Sequence, residues 1–146
     1  MTTATQQLYW EDVVEGQDIP SFSRKTGLME WNRFAAANEE HVSFHMDHKA
    51  GEAMGAPGAF GMGNLRFAYL HNMLEDWIGA DGAIKKVGVQ YRDRNFEGET
   101  LTAWGKVVRK YVADGEHLVD LELGVRKDTG RDTTPGHAIV SLPSRS

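Results

Sequence analysis

The sequence of 146 residues has no cysteine, no apolar run long enough to cross a bilayer and no cluster of basic residues. The first absence rules out disulfides, thiolate metal sites and a cysteine nucleophile. It leaves the compartment open, because a reduced cytosol and a cysteine-free exported chain look alike by this test, and cytoplasm is the default expectation. The opening MTTATQQ has neither the basic nor the apolar region of a secretory leader. The formal net charge is −5 and the pI is near 5.6. Basic residues are dispersed, as in KVVRKY and VRKDTGR. Nucleic acid and membrane are therefore not expected as partners. A local basic rim for a phosphorylated ligand stays open. No repeat, low-complexity tract or linker divides the chain, so a single domain over residues 1–146 is expected, with residues 1–8 as a flexible N-terminus.

What is present is periodicity. A first strand is expected near Ile19 to Arg24. Leu28, Trp31, Phe34 and Ala35 then share one face of a short amphipathic helix, with Thr26 as its expected N-cap. In NLRFAYLHNMLEDWIG, Leu65, Ala68, Tyr69, Met73 and Trp77 recur at helical spacing, while Leu70, Leu74 and Ile78 broaden the apolar stripe. A helix this apolar is buried, and Gly79 stops it. The period then changes to two, through Val87-Val89-Tyr91, Leu101 to Val107, Val119 to Val125 and HAIVSL. The order predicts an α+β fold in which an antiparallel meander wraps around one long central helix.

Between the two helices, Glu39, Glu40, His41, His45, Asp47 and His48 crowd into ten residues ahead of a glycine-rich turn, GAPGAFGMGNL. Three readings compete. On a continuous helix the three histidines would share a face, and Asp47 or Glu40 could complete a zinc or iron site, but no H-E-x-x-H pattern occurs and no metal is expected. Polar loop residues also serve as solvated caps and turn-formers. In the third reading, a carboxylate and an imidazole converge on the unpaired N–H groups at the start of the buried helix, an arrangement suited to adding water to, or removing it from, a carbonyl-activated substrate.

The stretch FAAANEEHVSFHMDHKAGEAMGAPGAFGMGNL resembles the hydratase motif of the MaoC-like, hot-dog-fold enoyl-CoA hydratases and dehydratases. The family's histidine falls on His45 within His45-Met46-Asp47; its aspartate, five residues earlier, falls on Glu40, and its glycine, eighteen later, on Gly63. VQYRDRNFEGETL is similar to the family's strand segment through Tyr91, Arg92, Gly98, Glu99, Thr100 and Leu101. The likeness runs from about Trp10 to Leu142 by element order. Two positions depart from the motif. Glu40 stands where the family has aspartate, and Val42-Ser43-Phe44 where it has Asn-Pro-Ile.

The resemblance implies a hot-dog domain that hydrates a 2-enoyl-CoA, or dehydrates a 3-hydroxyacyl-CoA, in lipid metabolism, with (R) stereochemistry. It implies Glu40 and His45 as the water-handling pair and the Gly63 N–H as oxyanion donor. Gly61, Met62, Asn64, Arg92 and Arg94 are expected to bind the substrate, with Lys85 and Lys86 as further rim candidates. No cofactor is expected. The substrate is a CoA or acyl-carrier-protein thioester, and the partner a second copy or a second hot-dog subunit. The alternatives are a non-catalytic subunit completing a partner's acyl-CoA pocket, and a hot-dog thioesterase.

Overall fold

The structure, a computed structural model, describes residues 6–146. Of the N-terminus expected to be flexible, residues 1–5 lie outside the described residues. Gln7 is tied down, its amide donating to the Ile78 carbonyl at 2.7 Å and accepting from the Asp81 N–H at 2.8 Å. After a 3₁₀ turn at Trp10–Asp12 come β1 (Phe22–Lys25), α1 (Leu28–Asn38), α2 (Ser43–Met46), α3 (His48–Ala53) and α4 (Gly63–Ile78). Four strands follow: β2 (Ala83–Val89), β3 (Thr100–Ala113), β4 (Glu116–Lys127) and β5 (Gly136–Ser141).

The expected α+β architecture is present. One antiparallel sheet, ordered β1-β3-β4-β5-β2, curls around α4. Only β3, β4 and β5 form a meander. Instead of lying beside β3, β2 crosses to the far edge and pairs with β5, Val87 opposite Ala138. Alternation decides which face of a strand is buried and is silent on which strand lies next to it. The first strand begins later than expected because Pro20 has no N–H to give the ladder. Before it, Ile19 N–H still reaches the Gly105 carbonyl at 3.0 Å.

Burial follows the periodicity. The inward face of α4 places Leu70 and Leu74 at 0% exposure against Leu121, Leu123, Val125 and Val140 of the sheet. Removing these chains from water stabilises the fold by about 1.5 to 3 kcal/mol each. The cap of α1 is Gly27, not Thr26: Glu30 reaches back to accept the Gly27 N–H at 3.0 Å. The backbone of Thr26 is already paired with Glu99 and Gly98.

The helix α3 docks on the turn that leads into α4. A methyl group on Gly51 would overlap the Gly58 carbonyl. Alanine is normally better than glycine in a helix by about 1 kcal/mol, whereas overpacking a closed contact costs about 1 to 3 kcal/mol. Gly51→Ala is therefore expected to destabilise the protein by up to about 2 kcal/mol in chemical denaturation; a stabilised variant would contradict this packing.

Candidate active site

Local backbone geometry separates the acids and imidazoles. α1 ends at Asn38, and Glu39 takes the left-handed conformation (φ 53°, ψ 30°), its N–H closing on the Ala35 carbonyl. This reversal lifts Glu40 off the helix. A single turn, α2, then carries His45 inward to 8% exposure. At Asp47 the backbone is extended (φ −142°, ψ 129°), and its carboxylate accepts the Lys49 N–H at 2.8 Å, so this aspartate caps α3. The helix on which three histidines would share a face is thus broken. His41 is exposed. His48 Nδ1 accepts the Ala59 N–H at 3.1 Å, and its Nε2 meets Glu97 at 2.9 Å. Among the described residues, no group of three histidines or carboxylates could hold a metal ion.

His45 has a defined tautomer. Its Nδ1 lies 2.7 Å from the Phe60 carbonyl oxygen, which can only accept, so Nδ1 carries the proton and neutral His45 keeps its lone pair on Nε2. The ring is held edge-on between Phe44 and Phe60, at centroid distances of 4.6 and 5.3 Å. Glu40 is oriented by amides. Its Oε2 accepts from Asn64 Nδ2 at 3.1 Å and from Asn38 Nδ2 at 3.3 Å, leaving Oε1 to other donors.

These groups meet in a cavity of ≈ 320 Å³ that contains Glu40, His45, Gly61, Gly63, Asn64 and Arg94 of the expected set. A larger hollow, ≈ 870 Å³, lies beside Glu75 and Asp76 at the other end of α4 and shares no residue with it. Two expected residues are elsewhere. The Met62 side chain, 0% exposed, belongs to the core. Arg92 donates to Gln90 Oε1 at 2.6 Å and lines a separate hollow with Pro135 and His137. Both residues lie past the end of β2, which stops at Val89, short of the expected Tyr91; Tyr91 packs against Gly63 at the start of α4, and Arg92 does not. Lys85 is paired with Glu116 at 2.8 Å and Lys86 lies on the same strand, neither of them in the cavity.

The glycines differ in role. The Gly61 N–H is consumed by the Asn95 carbonyl at 2.8 Å. Gly63 opens α4, where first-turn N–H groups have no intrahelical acceptor and Met62 supplies no side-chain cap. A Cβ at Gly63 would sit 2.9 Å from the Tyr91 ring, so the backbone here is bare because Tyr91 occupies the space.

Phe60, Arg66 and Tyr91 also line the cavity. Burial raises the Tyr91 pKa, with Arg66 opposing and Glu40 adding to the shift, so the phenol stays protonated at neutral pH. Arg66 is 4% exposed, and burial lowers its pKa against the influence of Tyr91 and Asp93. Its signal was in the sequence: it lies three, four and seven residues before Tyr69, Leu70 and Met73, on the apolar stripe. The Arg94 guanidinium is stacked 4.4 Å over the Phe60 ring at the rim.

Comparison with known proteins adds the architecture's relatives. No protein-family model and no curated protein sequence matches the chain. Solved structures do. The (R)-hydratase from A. caviae involved in PHA biosynthesis superposes with a TM-score of 0.81 at 20% identity, over 91% of this chain and 99% of that one. R-hydratase PhaJ1 from Pseudomonas aeruginosa gives 0.84 at 15% identity, over 95% of this chain and 88% of that one.

The chain has the hot-dog fold.

A third structure of this fold, the ChsH1-ChsH2 complex from Mycobacterium tuberculosis, gives 0.77 at 22% identity, over 88% of this chain and 98% of that one. At such identities the likeness lies in the backbone, and the chemistry of this hot-dog domain has to be read from its own side chains. No helix among its described residues is long and apolar enough to cross a membrane.

His41 and His48 can be told apart by experiment. His48→Ala removes the bond from Ala59 and the half-exposed pair with Glu97, an expected loss of about 1 kcal/mol. His41→Ala should change stability by less than about 0.5 kcal/mol. Urea denaturation of both variants measures the contrast; equal effects would contradict these placements.

Proposed function

We propose that the protein is a hydratase or dehydratase acting on a 2-enoyl or 3-hydroxyacyl thioester. The observation that carries this reading is the convergence of three features on one cavity: a clamped Glu40 carboxylate, the imidazole of His45 with its Nε2 left free by the Phe60 contact, and the first-turn backbone of Gly63. The (R)-hydratases among the structures of the same fold support it. In the hydration direction, Glu40 Oε1 and His45 Nε2 bind one water. One of them takes a proton as the water oxygen bonds to C3, and a proton is returned to C2. Negative charge gathers on the thioester oxygen, where the Gly63 N–H and the positive end of α4 stabilise it; losing a comparable donor costs about 3 kcal/mol. The resemblance of the motif implies (R) stereochemistry.

The departures from the motif are compatible with this chemistry. Asn64 and Asn38 fix the longer glutamate where an aspartate would sit closer to the backbone. The α2 turn, closed by the Asp47 N–H on the Ser43 carbonyl, orients His45 without a proline. CoA is the preferred handle, with Arg94 at the cavity mouth as its phosphate contact.

A partner completes the site in this reading. The cavity holds the reacting end of a thioester, while β1 and β2 leave sheet edges with unpaired backbone groups. A second copy, or a second hot-dog subunit as in a two-component complex such as ChsH1-ChsH2, would cover such an edge. Single-domain organisation and a role in lipid metabolism belong to the same proposal.

The test is an assay of the purified protein with crotonyl-CoA and a longer trans-2-enoyl-CoA, following enoyl absorbance and identifying products by mass. The expected product is the 3-hydroxyacyl-CoA. Glu40→Gln and His45→Ala should each lower kcat/KM at least about 100-fold with the fold intact by circular dichroism. Full activity in either variant would sink the pair, and release of free CoA would point to a thioesterase instead.

A further inference from the structure

Arg66 is the one charged residue on the buried face of α4. Buried charges are ordinarily paired, because an uncompensated ion in a dry interior is costly. Arg66 has no ion pair among the described residues. The nearby Asp93 carboxylate is held by Arg131 at 2.9 Å and Lys127 at 3.5 Å. What remains for Arg66 is the Asp93 backbone carbonyl at 2.7 Å and the Thr134 hydroxyl at 3.0 Å, both taken by Nη1. Its Nε is buried without any partner.

The surroundings bring this cation to the cavity of the proposed reaction. Arg66 lines the same cavity as Glu40, His45 and Gly63. Its guanidinium carbon lies 5.3 Å from the centre of the Tyr91 ring, and that ring abuts Gly63. Tyr91 feels the charges of both Arg66 and Glu40. The cavity therefore gathers around the α4 start a carboxylate, an imidazole and a desolvated cation that has no ion pair among the described residues.

We infer that Arg66 is a second electrostatic stabiliser of the reaction, its guanidinium opposing the negative charge that develops on the thioester oxygen beside the Gly63 N–H. The inference rests on the hydratase reading. As the water oxygen bonds to C3, one O–H proton passes to the Glu40–His45 pair. The C2=C3 π electrons move into the C1–C2 bond, and the carbonyl π electrons move onto the thioester oxygen. Protonation at C2 then restores the carbonyl, so the elements of water end on C3 and C2. Negative charge thus passes from the proton-accepting pair to the thioester oxygen. A buried cation acts there in a low dielectric, whereas exposed Arg94 is screened by water.

The test uses acetoacetyl-CoA, whose enolate absorbs differently from its neutral form, together with crotonyl-CoA hydration. On the parent protein, bound acetoacetyl-CoA is expected to ionise at a lower pH than in free solution. Arg66→Met, which deletes the charge with similar volume, should move that ionisation up by about one pH unit or more. It should also lower kcat about 100-fold while KM changes less than about threefold. Arg66→Lys keeps the charge without the planar fork and should fall between the two. A folded variant of either kind with parental kcat, or with the ionisation unmoved, would overturn the inference. So would a parent that binds acetoacetyl-CoA without lowering its ionisation pH, a result that needs no variant. A third contrary result is an Arg66→Met effect confined to the KM of enoyl-CoAs bearing a terminal carboxylate, which would make Arg66 a carboxylate anchor. If the parent neither hydrates crotonyl-CoA nor binds acetoacetyl-CoA, the hydratase reading itself fails and the inference goes with it.

Discussion

Burial of α4 inside the curled sheet is the constraint on which the rest of this structure depends. The apolar stripe from Leu65 to Ile78 has to be covered, and the inward residues of β3, β4 and β5 cover it. With the helix axis fixed in this way, its first turn is fixed too. The N–H groups of that turn emerge at one end of the sheet, in the place where the preceding loop delivers Glu40 and His45. The same packing force that closes the core thus sets the position of the polar site.

Precision in the site comes from short-range devices. The left-handed Glu39, the isolated α2 turn and the Asp47 cap break the acidic and histidine-rich stretch into pieces that face different ways. Each histidine ends with its own partner: solvent for His41, the Phe60 carbonyl for His45, and Ala59 with Glu97 for His48. A backbone carbonyl on Nδ1 leaves Nε2 of His45 to face the cavity chemistry, and two amides hold one oxygen of Glu40. The side chains that define these orientations are themselves packed or hydrogen-bonded, which limits the freedom lost when a ligand arrives.

Charge in the cavity is unevenly distributed. Tyr91 stays neutral between Glu40 and Arg66, and Arg94 is held at the rim by stacking on Phe60. A protein of net charge −5 thereby presents cationic groups toward one small cavity. That local field, unlike the global charge, is what a negatively charged or charge-developing ligand meets.

By itself the sequence determined the two longer helices and the strands after them, with their buried faces. It did not determine the short helices α2 and α3, expected as loop, because four to six residues carry no period. Residues recurring at 3.6 or at 2 have to bury one side, so the α+β class, the buried helix and the inward residues of β3 and β4 were legible before any coordinates. The spacing of Glu40, His45 and Gly63 was legible as a motif, whereas Arg66 was missed, although its place on an apolar stripe was a signal that could have found it. Only the tertiary structure decided that β2 lies at the edge beside β5, because strand neighbours depend on long-range pairing and not on local period. It also decided that Asn64 holds Glu40, that Met62 belongs to the core and that Arg92 faces another hollow while Tyr91 lines the cavity. These are contacts between segments far apart in the chain, and residue type or spacing alone carries no information about which of them close.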